Sequence, residues 1–142
     1  MRKILFILLG LILIPVLSIQ GQTVPDSIAL RLPPLLYNPI QDQTDYVDII
    51  YLSNGVSLSL DGNNAKYIAG FIDTIGVTPI IGLKPVAHAS WTTKGKGLRD
   101  AFIFLDSSGG GYFEFTIDNK KYYNKIKPYG YNFIAKYINQ GP

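Results

Sequence analysis

Few residue types able to do chemistry are present, and the segment VAHASW holds the most suggestive pair: His88 and Ser90, a base and a nucleophile two positions apart. In a strand those positions share a face, with Cα atoms about 6.8 Å apart. Direct hydrogen bonding would need the side chains to lean together, and the G-x-S-x-G nucleophile elbow is missing. An ordinary strand histidine is the expected reading. His88 is the single histidine and there is no cysteine, which excludes multi-histidine and thiolate metal sites and thiol catalysis. The acids are nine Asp and one Glu, Glu114. A two-carboxylate hydrolase with His88 nearby is the alternative function, because such partners meet in space and not in sequence. Most of the Asp residues fall at expected turns and caps. DGNN at 61–64 lacks the alternating Asp and distal Glu of a calcium loop, and reads as a helix cap. No catalytic residue, metal or cofactor is called for.

Two glycine-rich stretches suggest phosphate contact. DSSGGG at 106–111 follows a strand signal, but a phosphate-cradling loop must lead into a helix. Here Phe113, Phe115 and Ile117 alternate with Tyr112, Glu114 and Thr116, the period of a strand. The expectation is a hairpin loop with Asp106 capping the turn. TTKGKG, residues 92–97, also lies between strand signals and reads as an exposed basic hairpin loop.

Basic and aromatic residues concentrate in KKYYNKIKPYGYNF, residues 120–133. Alternation places Lys121, Tyr123, Lys125 and Lys127 on one face and Tyr122, Asn124 and Ile126 on the other. Tyrosines with lysines can stack on sugars or anchor a protein interface. The competing reading is an edge strand whose lysines discourage unwanted pairing. The candidate binding residues are therefore Lys121, Tyr122, Tyr123, Lys125 and Lys127, with Lys94 and Lys96 of the 92–97 loop beside them. An envelope glycan or a protein is the expected partner; nucleic acid is not expected, and membrane contact only if the N-terminal segment is retained.

These residues must be carried by a scaffold. YVDIIYLSNGVSLSL reads as two strands joined by a type I′ turn at Asn54-Gly55. Ala65, Ile68, Ile72 and Ile75 fall at helical spacing, with Gly76 as the stop. Strands follow over 80–91, 98–105, 112–117 and 120–127, with Pro79 and Pro85 marking the first as an edge or bulged strand. Asp118-Asn119 turns the last two. Tyr131, Ile134, Ala135 and Ile138 predict a C-terminal helix. The expected fold class is α+β: an antiparallel sheet of about six strands, order ββαββββα, with one central and one C-terminal helix on it.

Ahead of this domain (45–142), residues 23–44 carry Pro25, Pro33, Pro34 and Pro39, which predicts an extended arm. Residues 1–22, with Arg2-Lys3 before an apolar run, have the layout of a secretory signal peptide; an uncleaved anchor is the alternative. What remains is about 120 residues, one ordinary domain. A disulfide-free exported domain suits a bacterial periplasm or secretome. Residues 23–80 carry two bases against six acids, net −4, and residues 81–142 nine against four, net +5. Acidic and basic halves packed side by side account for this. The expected function is an exported, non-catalytic binding module, with a small envelope-polymer hydrolase or a membrane-anchored accessory protein as alternatives.

Overall fold

The computed structural model describes residues 30–94 and 96–139, for 96–98 the backbone alone. The expected signal peptide lies outside the described residues. No described helix is long and apolar enough to cross a membrane.

Within the described residues the architecture is α+β, an antiparallel sheet of seven strands with three helices. In chain order the elements are α1 (Pro34–Gln43), β1 (Thr44–Tyr51), β2 (Ser57–Asp61), α2 (Gly62–Ala69), β3 (Ile72–Gly76), β4 (Ala87–Thr93), β5 (Lys96–Leu105), β6 (Gly111–Ile117), β7 (Lys120–Ile126) and α3 (Pro128–Ile138). The sheet runs β2-β1-β4-β5-β6-β7-β3. Strand alternation sorts the side chains cleanly. Val47, Ile49, Tyr51, Ala87, Ala89, Trp91, Ala101, Ile103, Phe113 and Phe115 are buried on the helix side. Trp91 makes edge-to-face contact with Phe113, centroids 5.6 Å apart, and lies 5.7 Å from Phe115. Among the described residues, no helix lies on the other face.

Four local expectations are corrected. The proline-rich stretch is not extended throughout: Pro34 opens α1 as its first residue, where a missing N–H costs nothing. Pro39 inside the helix removes the bond to the Leu35 carbonyl, which lies on the exposed side, within reach of water. Tertiary contacts hold the turn in place. Ile40 is fully buried, the Tyr37 hydroxyl donates to the Ile72 carbonyl at 3.1 Å, and the Gln41 amide donates to the Ala69 carbonyl.

The central helix stops at Ala69, and Ile72–Gly76 is a strand beside β7. Ile72 and Ile75 satisfy helical spacing, but Ile72, Thr74 and Ile75 are β-branched and suit a strand, and Ile72 and Gly76 pair with Ile126 and Asn124 of β7. Asp61 occupies the N-cap position of α2 without a side-chain cap bond. The type I′ turn is not at Asn54-Gly55, where only Gly55 has positive φ; Asn54 instead donates to the Tyr137 and Ile138 carbonyls and ties down the end of α3. The left-handed pair is Asp118-Asn119, φ 50° and 59°, joining β6 to β7 with Ile117 opposite Lys120.

Pro79 and Pro85 precede β4, which is an interior strand. Residues 77–86 instead cross one end of the open face, where the backbone of Ile80 meets the Tyr112 hydroxyl and the Phe104 and Tyr112 rings stack at 4.7 Å. On the helix side, α3 approaches so closely that a Cβ on Gly130 would stand 2.6 Å from the Phe71 Cβ.

Candidate functional site on the open sheet face

The open face is ordered by register. Ser59 of β2 stands opposite Asp48 of β1, Asp48 opposite Ser90 of β4, and Ser90 opposite Asp100 of β5. One step along the strands, Ile50 is opposite His88, His88 opposite Phe102, Phe102 opposite Glu114, and Glu114 opposite Tyr123. Each carboxylate here has a donor. The Ser59 hydroxyl donates to Asp48 at 2.5 Å, and the Ser90 hydroxyl donates to Asp100. Lys121 Nζ lies 2.8 Å from Glu114 Oε1, and this bond raises the lysine pKa above its ordinary value. His88 Nε2 is 3.7 Å from the same Asp100 oxygen that Ser90 holds. His88, Asp100, Ala101, Phe102, Glu114 and Thr116 line a shallow depression of about 210 Å³. Phe102 is 42% exposed there, with the His88 ring 5.3 Å away.

Among the residues singled out from the sequence, Lys121, Tyr123 and Lys125 do share this face. Tyr123 is half-buried against Tyr112, ring centroids 6.0 Å apart, and burial raises its pKa. Lys125 is exposed, opposite Tyr112. The others are elsewhere. Tyr122 points to the helix side and packs against the core. Lys127 leaves the strand and forms the N-cap of α3, its N–H donating to the Phe71 carbonyl at 2.9 Å. Lys94 lines a separate cleft with Asp42, Asp45, Gly62 and Lys66, and its N–H donates to Gln43 at the end of α1. β5 and β6 lie between its strand and β7, so the 92–97 loop is not beside the tyrosine strand. The Lys96 side chain is outside the described residues. β7 itself is an interior strand, paired with β6 and β3, which removes the edge-strand reading of its lysines.

The glycine loop behaves as its sequence predicts. Asp106 Oδ1 accepts hydrogen bonds from the Ser108 N–H (2.8 Å), the Ser108 hydroxyl (2.6 Å) and the Gly110 N–H (2.9 Å). Those bonds, that from the Ser108 hydroxyl first, hold the Asp106 pKa below its ordinary value. The Ser108 and Gly110 amides, which a phosphate would need, are occupied by this carboxylate.

Sequence reading singled out His88 and Ser90 but passed over Asp100, Phe102 and Glu114 as site residues. The signal was present in LRDAFIFL and YFEFTI, where each of the three alternates with core residues. It becomes a site only when β4, β5 and β6 are known to be neighbours. No group of three or more metal-ligating side chains occurs among the described residues. Comparison with known protein families, curated proteins and solved structures finds no match, so the chemistry of the open face has to be read from its own geometry.

Proposed function

We propose that the protein is an exported, non-catalytic binding domain of a bacterial envelope or secretome, and that its open sheet face engages a glycan. The observation that carries this reading is the combination on one uncovered face of an exposed aromatic ring, Phe102, with carboxylates each already held by a donor. Apolar faces of sugar rings stack on such a platform, and ring hydroxyls exchange hydrogen bonds with fixed carboxylates and with His88. Tyr123 and Lys125 extend the surface toward β7. A carboxylate that has a partner before binding is pre-organised, so little ordering remains to be done when ligand arrives.

The test is binding of the protein to an array of bacterial envelope polysaccharides, comparing wild type with Phe102→Ala and Asp100→Asn. A stacking contact contributes about 1 kcal/mol beyond burial, so loss of Phe102 should weaken retention by roughly fivefold or more. Unchanged retention in both variants would remove the open face from consideration.

A second reading, a small hydrolase of envelope polymers, draws support from one feature: His88, Asp100 and Glu114 line the same depression. Against it, the Ser90 hydroxyl donates to Asp100 and not to His88, and the Asp100 side chain is 49% exposed, in a site open to water. Release of reducing ends from those polysaccharides, abolished by Asp100→Asn and Glu114→Gln alike, would favour the enzyme over the binder.

A further inference from the structure

The sheet has two edges, and they are treated differently. At β3 the pairing with β7 is irregular between Ile72 and Gly76. Arg31 Nη1 donates to the Thr74 carbonyl at 3.1 Å, and Asp73 Oδ1 accepts the Ile75 N–H at 3.3 Å. Buried Asn124 of β7 binds across the same gap, accepting the Leu32 N–H at 2.9 Å and donating to the Asp73 carbonyl at 2.7 Å. Bulges, side-chain covers and arms are the means by which edge strands are kept from pairing with other chains. Among the described residues, β2, at the opposite edge, has none of them. Its residues, Ser57-Leu58-Ser59-Leu60-Asp61, include no lysine and no proline, and its pairing with β1 is regular over all five.

We propose that the outer edge of β2 is a self-association surface, joining two copies by antiparallel pairing of β2 with β2 about a two-fold axis at Ser59. The sequence of the strand is complementary to itself in that register. Leu58 meets Leu60 of the second copy on the helix side, and both are only half-buried in the single chain. On the open side Ser59 meets Ser59, and Ser57 meets Asp61, so the one charge of each strand faces a hydroxyl donor and not its own copy. A two-fold axis perpendicular to the sheet keeps both helix layers on one side, so an axis between residues would set an inward leucine against an outward serine, which the pleat forbids. α2 leaves the edge clear because it packs chiefly over β1. A symmetric pairing of one patch with itself is the commonest route to a dimer. The result is one continuous sheet with both open faces on the same side.

The absence of cysteine makes the register directly testable in the full chain. Opposed residues of an antiparallel pair have Cα atoms about 4.5–5.5 Å apart, inside the range a disulfide spans. Ser59→Cys should therefore form a covalent dimer under mild oxidation. Ser57→Cys should not, since the two copies of residue 57 would stand about 14 Å apart. Ser57→Cys combined with Asp61→Cys should cross-link again. Ser59→Lys supplies the reverse test: Asp48 lies opposite within the chain and accepts the lysine, but two ammonium groups now meet across the axis. Sedimentation should give a dimer for wild type and a monomer for Ser59→Lys. A wild-type chain that sediments as a monomer at about 100 μM, well above the micromolar range of weak specific pairs, overturns the proposal. So does Ser57→Cys cross-linking as readily as Ser59→Cys.

Discussion

The two faces of this sheet are built from the same strands and from residues that alternate one by one, yet they follow opposite rules. On the helix side, Trp91, Phe113 and Phe115 are fully buried and packed ring against ring. On the open side, Asp48, Ser90, Asp100 and Glu114 occupy equivalent positions: Asp48 accepts from Ser59, Asp100 from Ser90 and Glu114 from Lys121. The first face contributes folding free energy through area removed from water; the second contributes little and leaves its groups available. The contrast shows where selection for function can act without endangering the fold.

The comparison can be broken from the core side first. Phe113→Ala should lower stability by about 3–5 kcal/mol, read by urea denaturation, because it opens a cavity beside Trp91. A loss below about 1 kcal/mol would mean that this face is not the folding face. Next in size is Asn124→Ala, which leaves the Leu32 N–H and the Asp73 carbonyl without their partner at a fully buried position. About 1–3 kcal/mol should be lost, with easier proteolysis ahead of α1. On the open face, Phe102→Ala should stay within about 0.5 kcal/mol of wild type in the same urea assay while reducing glycan retention. A large stability loss there would erase the distinction between the faces.

The smallest effect belongs to the 106–110 loop. Asp106 has a depressed folded-state pKa, so its contribution is present above the ordinary carboxylate value of 3.8 and is lost as pH falls through the lower folded-state value. Asp106→Ala should speed hydrogen exchange at the Ser108 and Gly110 amides near neutral pH. Below the folded-state value, variant and wild type should exchange alike once intrinsic rates are divided out. A difference that persists in acid would show that the carboxylate charge is not what closes the turn.

Much of the scaffold was legible in the sequence because it depends on local chemistry. Period-two alternation identified the strands that carry Ala89, Phe113 and Phe115, and turn residues marked 106–110 and 118–119. Local rules also misled where two structures satisfy the same pattern. Ile68, Ile72 and Ile75 suit a helix, but pairing with β7 decided the matter after Ala69. Pro33-Pro34 suits an extended arm, but contacts to Ile72 and Ala69 support a helix there. For the candidate site, the face of Lys121, Tyr123 and Lys125 was readable, and that of Tyr122 as well. The inward or outward sense of a residue is a property of its own strand.

Neighbourhood is not. That Glu114 would neutralise Lys121, or that Asp100 would stand between Ser90 and Thr116, follows from which strands lie side by side. Sequence alone determined the fold class, a chain free of cysteine, and the chemistry each strand could offer. Tertiary structure alone decided the order β2-β1-β4-β5-β6-β7-β3, the closing of one edge by Arg31 and Asn124, and the gathering of His88, Asp100, Phe102 and Glu114 on one face. The reason is physical. Alternation is set by backbone geometry over a few residues, whereas strand order is set by long-range pairing and by what the helices can cover.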